Sequence, residues 1–239
     1  MRKQIFVSVL CAATVAIPVA AATAAPAIQT IDSELAGKET PKLDKKKFKK
    51  SSIDVETTTA DAANPSGMPP KANAATIKFD RKDVKFNTKA VPGCSQSQIA
   101  NTTTESAETE CGSANVGSGT ATAALPFGAG GTRQDFPIVV TAYNRSDAKG
   151  ILLHSRAGAP LNTTTVLTGT LSGTTLSLQI PPLGGGVGAI AQFQTKVKAK
   201  DYVQARCKAK TIKTSSTFTF TDAPPADASD TQSCKQKKK

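Results

Sequence analysis

Residues 189–200 read AIAQFQTKVKAK, and from Ala191 onward apolar or small side chains alternate with strongly polar ones. Phe193 and Val197 fall on one side of an extended chain, whereas Lys196 falls on the other. This period of two is typical of a β-strand that buries one face. Similar short runs recur from Thr76 onward, separated by Gly, Pro, Asn and Asp, and they indicate an all-β domain.

Nine segments of this kind are predicted to be strands. They are 76–86 with a break near Arg81, 116–125, 136–144, 150–156, 163–171, 174–180, 187–200, 202–210 and 217–221. Nine short strands in about 160 residues are typical of a sandwich or a barrel. We expect an antiparallel β-sandwich, Ig-like or jelly-roll-like, over residues 76–234.

Export is predicted for the first 24 residues. They contain a cationic start, an apolar run over 5–19, and the small residues Ala22 and Ala24 that suit a signal peptidase. No later apolar run has the length of a membrane span, so we expect no anchor after cleavage. The expected location is therefore extracellular or at the cell envelope.

Four cysteines follow the predicted signal: Cys94, Cys111, Cys207 and Cys234. An even number in an oxidising compartment indicates a disulfide framework, for which three connectivities are possible. Pairing Cys94 with Cys111 and Cys207 with Cys234 is favoured because it closes short loops, each worth roughly 3 to 3.5 kcal/mol by chain entropy. None of the spacings resembles a zinc site, and we expect neither a metal nor a cofactor.

A short helix is predicted inside the first disulfide loop, over 96–110, because Ser95 and Gln98 have the spacing of a capping box. The core of the domain is expected to be thin. Aromatic residues make up 5% of the chain and there is no Trp. Its stability should therefore depend on the crosslinks.

Two segments outside the predicted domain are basic. Residues 25–75 are rich in Ala, Thr, Pro and Lys and hold few apolar side chains at a regular period, so we expect a disordered linker. Within it, 42–50 holds six lysines and one aspartate, and the tail 235–239 adds four lysines. Together with the net charge of +12, these segments favour contact with anionic cell-envelope polymers.

A cationic sheet face is also predicted. Two strands that flank a turn near Asp201 are expected to be neighbours and to present their lysines and arginine on one side. These residues are Lys196, Lys198, Lys200, Arg206, Lys208 and Lys210. The face either binds a polyanion or is a solvated surface that discourages aggregation. Nucleic acid is not expected, because Tyr143 and Tyr202 are the only tyrosines and base-stacking platforms are missing.

Catalytic and metal-binding patterns are weak. His154 alternates with Leu152 and Arg156, which predicts a position on the polar face of its strand. The glycine-rich stretch 116–120 is interpreted as a flexible entry into a strand, and 183–188 as a turn between strands. An acidic loop before Cys234 leaves calcium open, although its spacing matches no known calcium loop. Its carboxylates are Asp222, Asp227 and Asp230.

Several short blocks carry a family resemblance. They are VPGC at 91–94, QIA at 98–100, CG at 111–112, VGSGTA at 116–121, and the segments 202–207 and 230–234. In these blocks the chain resembles a group of uncharacterised secreted proteins of soil actinobacteria. The resemblance implies a secreted, two-disulfide, β-rich domain with no assigned activity and no catalytic residues to carry over.

The expected function is that of a secreted, non-enzymatic binding module whose ligand and oligomeric state the sequence leaves open. One alternative is an extracellular hydrolase that acts on polysaccharide through carboxylates on loops. The other is a structural or adhesive envelope protein whose lysine-rich ends provide the adhesion.

Overall fold

The computed structural model describes residues 27–35, 43–128 and 130–234. The predicted signal peptide 1–24 and the basic tail 235–239 lie outside the described residues. The strands are β1 (Ala27–Leu35), β2 (Lys49–Lys50), β3 (Ile53–Asp61), β4 (Ala72–Phe79), β5 (Val84–Phe86), β6 (Asn115–Phe127), β7 (Thr132–Asn144), β8 (Gly150–Ala157), β9 (Thr164–Ser172), β10 (Thr175–Gln179), β11 (Ala189–Val197), β12 (Val203–Ala205), β13 (Thr211–Phe220) and β14 (Ala226–Ser233). The helices are α1 (Gln96–Ile99) and α2 (Thr104–Cys111), with short 3-10 turns at Thr88–Ala90, Gly112–Ala114 and Gly184–Gly186.

Eleven of these strands form one antiparallel sheet in the order β1-β3-β11-β6-β7-β8-β9-β10-β4-β13-β14. The two edge strands, β1 and β14, lie next to each other, so the sheet nearly closes on itself in a barrel-like arrangement. The predicted all-β class and antiparallel pairing are confirmed. A second sheet, in the order β2-β12-β5, contains the remaining three described strands.

The antiparallel strands place their connections at two ends of the large sheet. The connections β3–β4, β6–β7, β8–β9, β10–β11 and β13–β14 share one end, which we call the mouth. The three-stranded sheet lies at the opposite end, which we call the closed end. There the ring centroids of Phe79 and Phe86 are 5.5 Å apart, and those of Phe86 and Tyr202 are 6.5 Å apart. These rings occupy the core at the closed end.

The prediction of a disordered linker over 25–75 is wrong for the described residues 27–35 and 43–75. β3 is an interior strand of the large sheet, paired with both β1 and β11. Its inward positions begin with Ile53 and Val55 and continue with Thr57 and Thr59, all of them buried. Threonine keeps the alternation because its β-branched side chain favours a strand. A polar composition therefore conceals a buried strand.

The predicted strand over 202–210 is shorter in the structure, where β12 ends at Ala205. The chain then leaves the small sheet, because the backbone N–H of Arg206 donates to the carbonyl of Asp83 and that of Cys207 donates to Asp44. β14 was not predicted as a strand, because its sequence ADASDTQS alternates small and polar residues without a large apolar side chain.

The disulfide between Cys94 and Cys111 is confirmed, and a helical segment lies inside its loop as predicted. The Gln98 side chain accepts a hydrogen bond from the backbone N–H of Ser95 at 2.9 Å, the expected capping contact. We call residues 94–114 the helical cap. It covers the outer face of β7 and β8. Tyr143 is fully buried there, in a second, smaller hydrophobic core between the cap and the sheet.

The disulfide between Cys207 and Cys234 is also confirmed, with 5.8 Å between the two Cα atoms. Cys207 precedes β13 and Cys234 follows β14, so the crosslink joins the two ends of this hairpin at the closed end. Each disulfide therefore secures a different part of the sheet.

Candidate functional site

A cavity of about 460 Å³ lies inside the barrel-like sheet, toward the mouth. Eight strands enclose an interior that side chains just fill, so a sheet of eleven leaves space unless its inward residues are large. Here several are small. Ala121 and Ala123 face the interior from β6, and Ala157 does so from β8. The empty volume follows from small residues on a wide sheet.

The cavity wall is mostly apolar. Aliphatic and aromatic side chains reach it from most strands of the sheet, among them Ile77, Leu125, Ile138, Leu153, Leu178 and Phe193. The polar side chains that line it are hydroxyls: Thr57, Thr59, Ser155, Thr163 and Thr165. Among the described residues that line it, none is charged and none is a histidine.

The β10–β11 connection borders the mouth of the cavity with Pro181, Pro182 and Leu183. Gly184 and Gly185 follow in the left-handed region, with φ of 53° and 69°. Residues with a side chain rarely adopt these angles, so the glycines allow the chain to turn across the opening. The sequence predicted a turn here.

The apolar interior continues beyond the main cavity. A second space of about 40 Å³ lies toward Phe79, Phe86 and Tyr202 at the closed end. Ile77 and Phe193 border both spaces. The apolar interior therefore extends from the mouth to the aromatic rings at the closed end.

The predicted cationic face does not form as expected. Lys196 lies on β11 in the large sheet, in register with Asp54 of β3 and Ser118 of β6. Arg206, Lys208 and Lys210 follow β12, which pairs with β2 and β5 in the small sheet. The two strands are not neighbours, so the expected single face is wrong. Lys198 and Lys200 lie on the connection between them.

Arg206 is a structural residue at the closed end. Its guanidinium donates to the carbonyl of Lys82 at 2.7 Å and to that of Lys46 at 3.3 Å. It also lies 4.5 Å from the ring centroid of Phe48. Its Nε is 3.5 Å from the carboxylate of the fully buried Asp83. These contacts hold three chain segments together.

The same three segments, 43–50, 80–86 and 206–208, carry nine exposed cations against three aspartates. The cations are Lys45, Lys46, Lys47, Lys49, Lys50, Arg81, Lys82, Lys85 and Lys208. We call this surface the cationic end. Backbone N–H groups of Lys47 and Lys46 donate to Asp44 and hold its pKa below the usual range, helped by the lysine charges around it.

His154 is fully buried, which corrects its predicted surface position. It does point away from the sheet interior, but the helical cap covers that face. Its Nε2 lies 3.2 Å from both the hydroxyl and the carbonyl oxygen of Thr102. Burial lowers the pKa of His154, and the charge of Arg156 lowers it further.

The acidic residues before Cys234 are not gathered in one loop. Asp227 and Asp230 lie on β14, and the Asp227 carboxylate accepts a hydrogen bond from Thr217 at 2.6 Å. Asp222 accepts the backbone N–H of Lys71 at 2.8 Å. Within the described residues, no group of three or more His, Cys, Asp or Glu side chains is placed to hold a metal ion.

Within residues 27–35, 43–128 and 130–234, no helix is both long and apolar enough to cross a membrane.

No known family model and no curated protein matches this chain. Among solved structures, it is similar to a DUF4466 family protein from Parabacteroides merdae ATCC 43184, with 10% sequence identity and a TM-score of 0.33. The matched region covers 87% of this chain and 43% of that protein. A likeness this weak supports no conclusion about fold or function.

Proposed function

We propose that this protein is a non-enzymatic binding module that encloses an apolar small molecule within its barrel-like sheet. The cavity of about 460 Å³ with its apolar wall carries the proposal. Pockets for small molecules fall in the range of roughly 300–1,000 Å³ and are mostly apolar. In this proposal the sheet works as a closed barrel rather than a two-layer sandwich, because packed layers would fill the space.

Apolar contact provides the binding energy in this proposal. Each methylene group that moves from water into such a cavity gains about 0.8 kcal/mol before the costs of association. The wall from Leu125 at the mouth to Phe193 deeper inside offers contact to a long or bulky apolar body.

Binding is favoured over hydrolysis by the chemistry of the wall. Acid–base hydrolysis of a sugar needs two carboxyl groups around the reacting bond. The described residues that line the cavity offer hydroxyls and apolar groups instead.

An extracellular location is part of the proposal. Two disulfides close within the described chain, and disulfides persist in oxidising environments. The predicted signal segment and the resemblance to secreted actinobacterial proteins point the same way.

The test is titration with N-phenyl-1-naphthylamine, an apolar dye that fluoresces in dry sites. We expect saturable binding to the full chain and at least roughly tenfold weaker binding to Ala123→Phe, whose ring would occupy the cavity. Thr120→Phe is the matched control, because Thr120 is exposed on the same strand. Absence of dye binding, or equal binding to Ala123→Phe, would reject the proposal.

A second binding activity is favoured by the cationic end. Nine exposed cations on three adjoining segments suit an anionic polymer of the cell envelope, held by salt-sensitive attraction. Arg206 is not among the free cations, because its guanidinium already has protein partners.

Retention on immobilised dextran sulfate across a salt series tests this second activity. The variant Lys47→Gln/Lys85→Gln/Lys208→Gln should elute at lower salt than Lys78→Gln/Lys149→Gln/Lys213→Gln. The two variants have equal net charge, and all six lysines are exposed. The control lysines lie outside the three segments, so equal elution would show that these segments contribute no more to retention than other lysines do.

A further inference from the structure

We infer that the enclosed ligand is uncharged, with an apolar body and one hydroxyl or carbonyl group that hydrogen-bonds to a hydroxyl cluster near the mouth. The inference rests on the proposed function and names the chemical class of its ligand. We define the hydroxyl cluster as Ser155, Thr163 and Thr165.

The wall selects against ions. A carboxylate or ammonium group buried without a partner is strongly disfavoured relative to water. Among the described residues that line the cavity, no side chain carries a charge to compensate it. Arg156, the cation next in sequence to Ser155, donates to the Asn162 carbonyl and to the hydroxyl of Thr164 outside the cavity wall. A fatty acid anion would therefore lose its hydration without gaining an ion pair.

The hydroxyl cluster has hydrogen-bonding capacity to spare. Ser155 and Thr165 are cross-strand partners on β8 and β9, and both line the cavity. Neither side chain makes a hydrogen bond within the described part of the chain. A hydroxyl group donates and accepts, so this pair suits an alcohol as well as an ester or ketone oxygen.

Another polar pair near the cavity is already satisfied. Thr59 on β3 donates to the side-chain oxygen of Gln29 at 2.7 Å, and the Gln29 amide donates to the carbonyl of Thr30. This pair has less to offer a ligand than the hydroxyl cluster has.

The position of the cluster orients the ligand. β8 ends at Ala157 and β9 begins at Thr164, so the cluster lies in the mouth half of the cavity. Phe193 lies deeper, where it also borders the second space. The polar group therefore stays near the opening, and the apolar body extends toward the closed end.

The experiment is displacement of bound N-phenyl-1-naphthylamine by 1-decanol and by decanoate at about pH 8, where the carboxylic acid is ionised. The two competitors share one chain length and differ in the head group. We expect decanol to displace the dye at a concentration at least about tenfold lower than decanoate. Equal potency would overturn the inference while leaving the proposed function intact, because the dye itself would still bind.

A variant assigns the effect to the cluster. Ser155→Ala/Thr165→Val should weaken decanol competition by about three- to tenfold once each protein's own dye affinity is taken into account, because the variant removes the hydrogen bonds to the alcohol. Ser177→Ala/Thr120→Val is the matched control, since both residues are exposed on the outer side of the sheet. Unchanged decanol competition in the cluster variant would overturn the inference, whereas loss of dye binding in the parent protein would reject the proposed function.

Discussion

Arg206 neutralises Asp83, a fully buried aspartate at the closed end, with 3.5 Å between Nε and Oδ1. The backbone N–H of Lys208 donates to the same Oδ1 at 3.1 Å. The other carboxylate oxygen, Oδ2, is buried and has no hydrogen-bond partner among the described residues. Removal of the arginine would therefore leave a buried charge with little compensation.

We expect Arg206→Gln to lower the free energy of unfolding by roughly 2–3 kcal/mol, because an uncompensated buried charge is costly. Denaturant unfolding measures the loss. Lys71→Gln is the control: its ion pair with Asp222 spans 4.0 Å and is exposed, so the change should stay below about 1 kcal/mol. Equal losses in the two variants would contradict a structural role for Arg206.

Gly119 sits where β6 and β11 approach closely. A Cβ at this position would collide with the carbonyl oxygen of Gln194, and one at Gly117 would collide with that of Lys196. The stretch VGSGT is therefore part of a tightly paired strand rather than a flexible start.

We predict that Gly119→Ala destabilises the fold by roughly 1–3 kcal/mol, because the two backbones must move apart. Thermal unfolding gives the comparison with Gly158→Ala, where a Cβ meets no atom of the described residues within 4 Å. A melting temperature for Gly119→Ala equal to that of the control would contradict the close approach.

His154 should make stability depend on pH. The unfolded chain has a histidine of ordinary pKa, near 6.5, whereas burial lowers the pKa in the folded state. Below about pH 6.5 the unfolded state therefore binds more protons than the folded state. The free energy of unfolding then decreases as the pH is lowered. His154 is the sole histidine, and the carboxyl groups of Asp44 and Glu105, whose pKa values are lowered from 3.8 and 4.5, act at lower pH.

The measurement is denaturant unfolding between about pH 7 and pH 5. The parent protein should lose stability across this range, and His154→Gln should give a flatter profile. Parallel profiles would contradict the prediction, because they would mean that the pKa of His154 is the same in the folded and the unfolded state.

The first disulfide should control the ionisation of Tyr143. Burial under the helical cap raises the pKa of this phenol, and its hydrogen bond to Glu108 at 3.1 Å raises it further. In Cys94→Ser/Cys111→Ser we expect the cap to loosen, and Tyr143 should titrate nearer its ordinary value of 10.

Ultraviolet titration of tyrosinate resolves this change, because the chain has two tyrosines. Tyr202 is the internal control: burial at the closed end raises its pKa independently of the cap. We expect a loss of stability of roughly 3 kcal/mol from opening this loop of 17 residues. An unchanged tyrosine titration in the variant would show that the cap stays in place without its crosslink.

Local patterns predicted much of the large sheet. Short runs rich in apolar or small residues over 116–125 and 150–156 identified β6 and β8, because both strands bury such residues. β3 escaped prediction since Thr57 and Thr59 take inward positions that an apolar pattern would fill. Threonine at alternate positions was the available signal.

The candidate sites depend on strand order, which the sequence does not encode locally. The cavity arises because Ala121 on β6 and Thr57 on β3 face one interior across a nearly closed sheet. The lysines of 42–50 were recognised as a block, but their proximity to Lys208 follows from pairing of β2 with β12. Small inward residues such as Ala123 were the one local hint of empty space.

The mouth and the cationic end lie on opposite poles of the molecule. Attachment through the lysines would leave the rim at 181–183 facing away from the support, toward the surrounding medium. Uptake of a ligand into the cavity and attachment to an anionic polymer would then use separate surfaces and could occur at the same time. A single attached molecule would therefore have a fixed orientation, with the opening of its cavity directed away from the polymer.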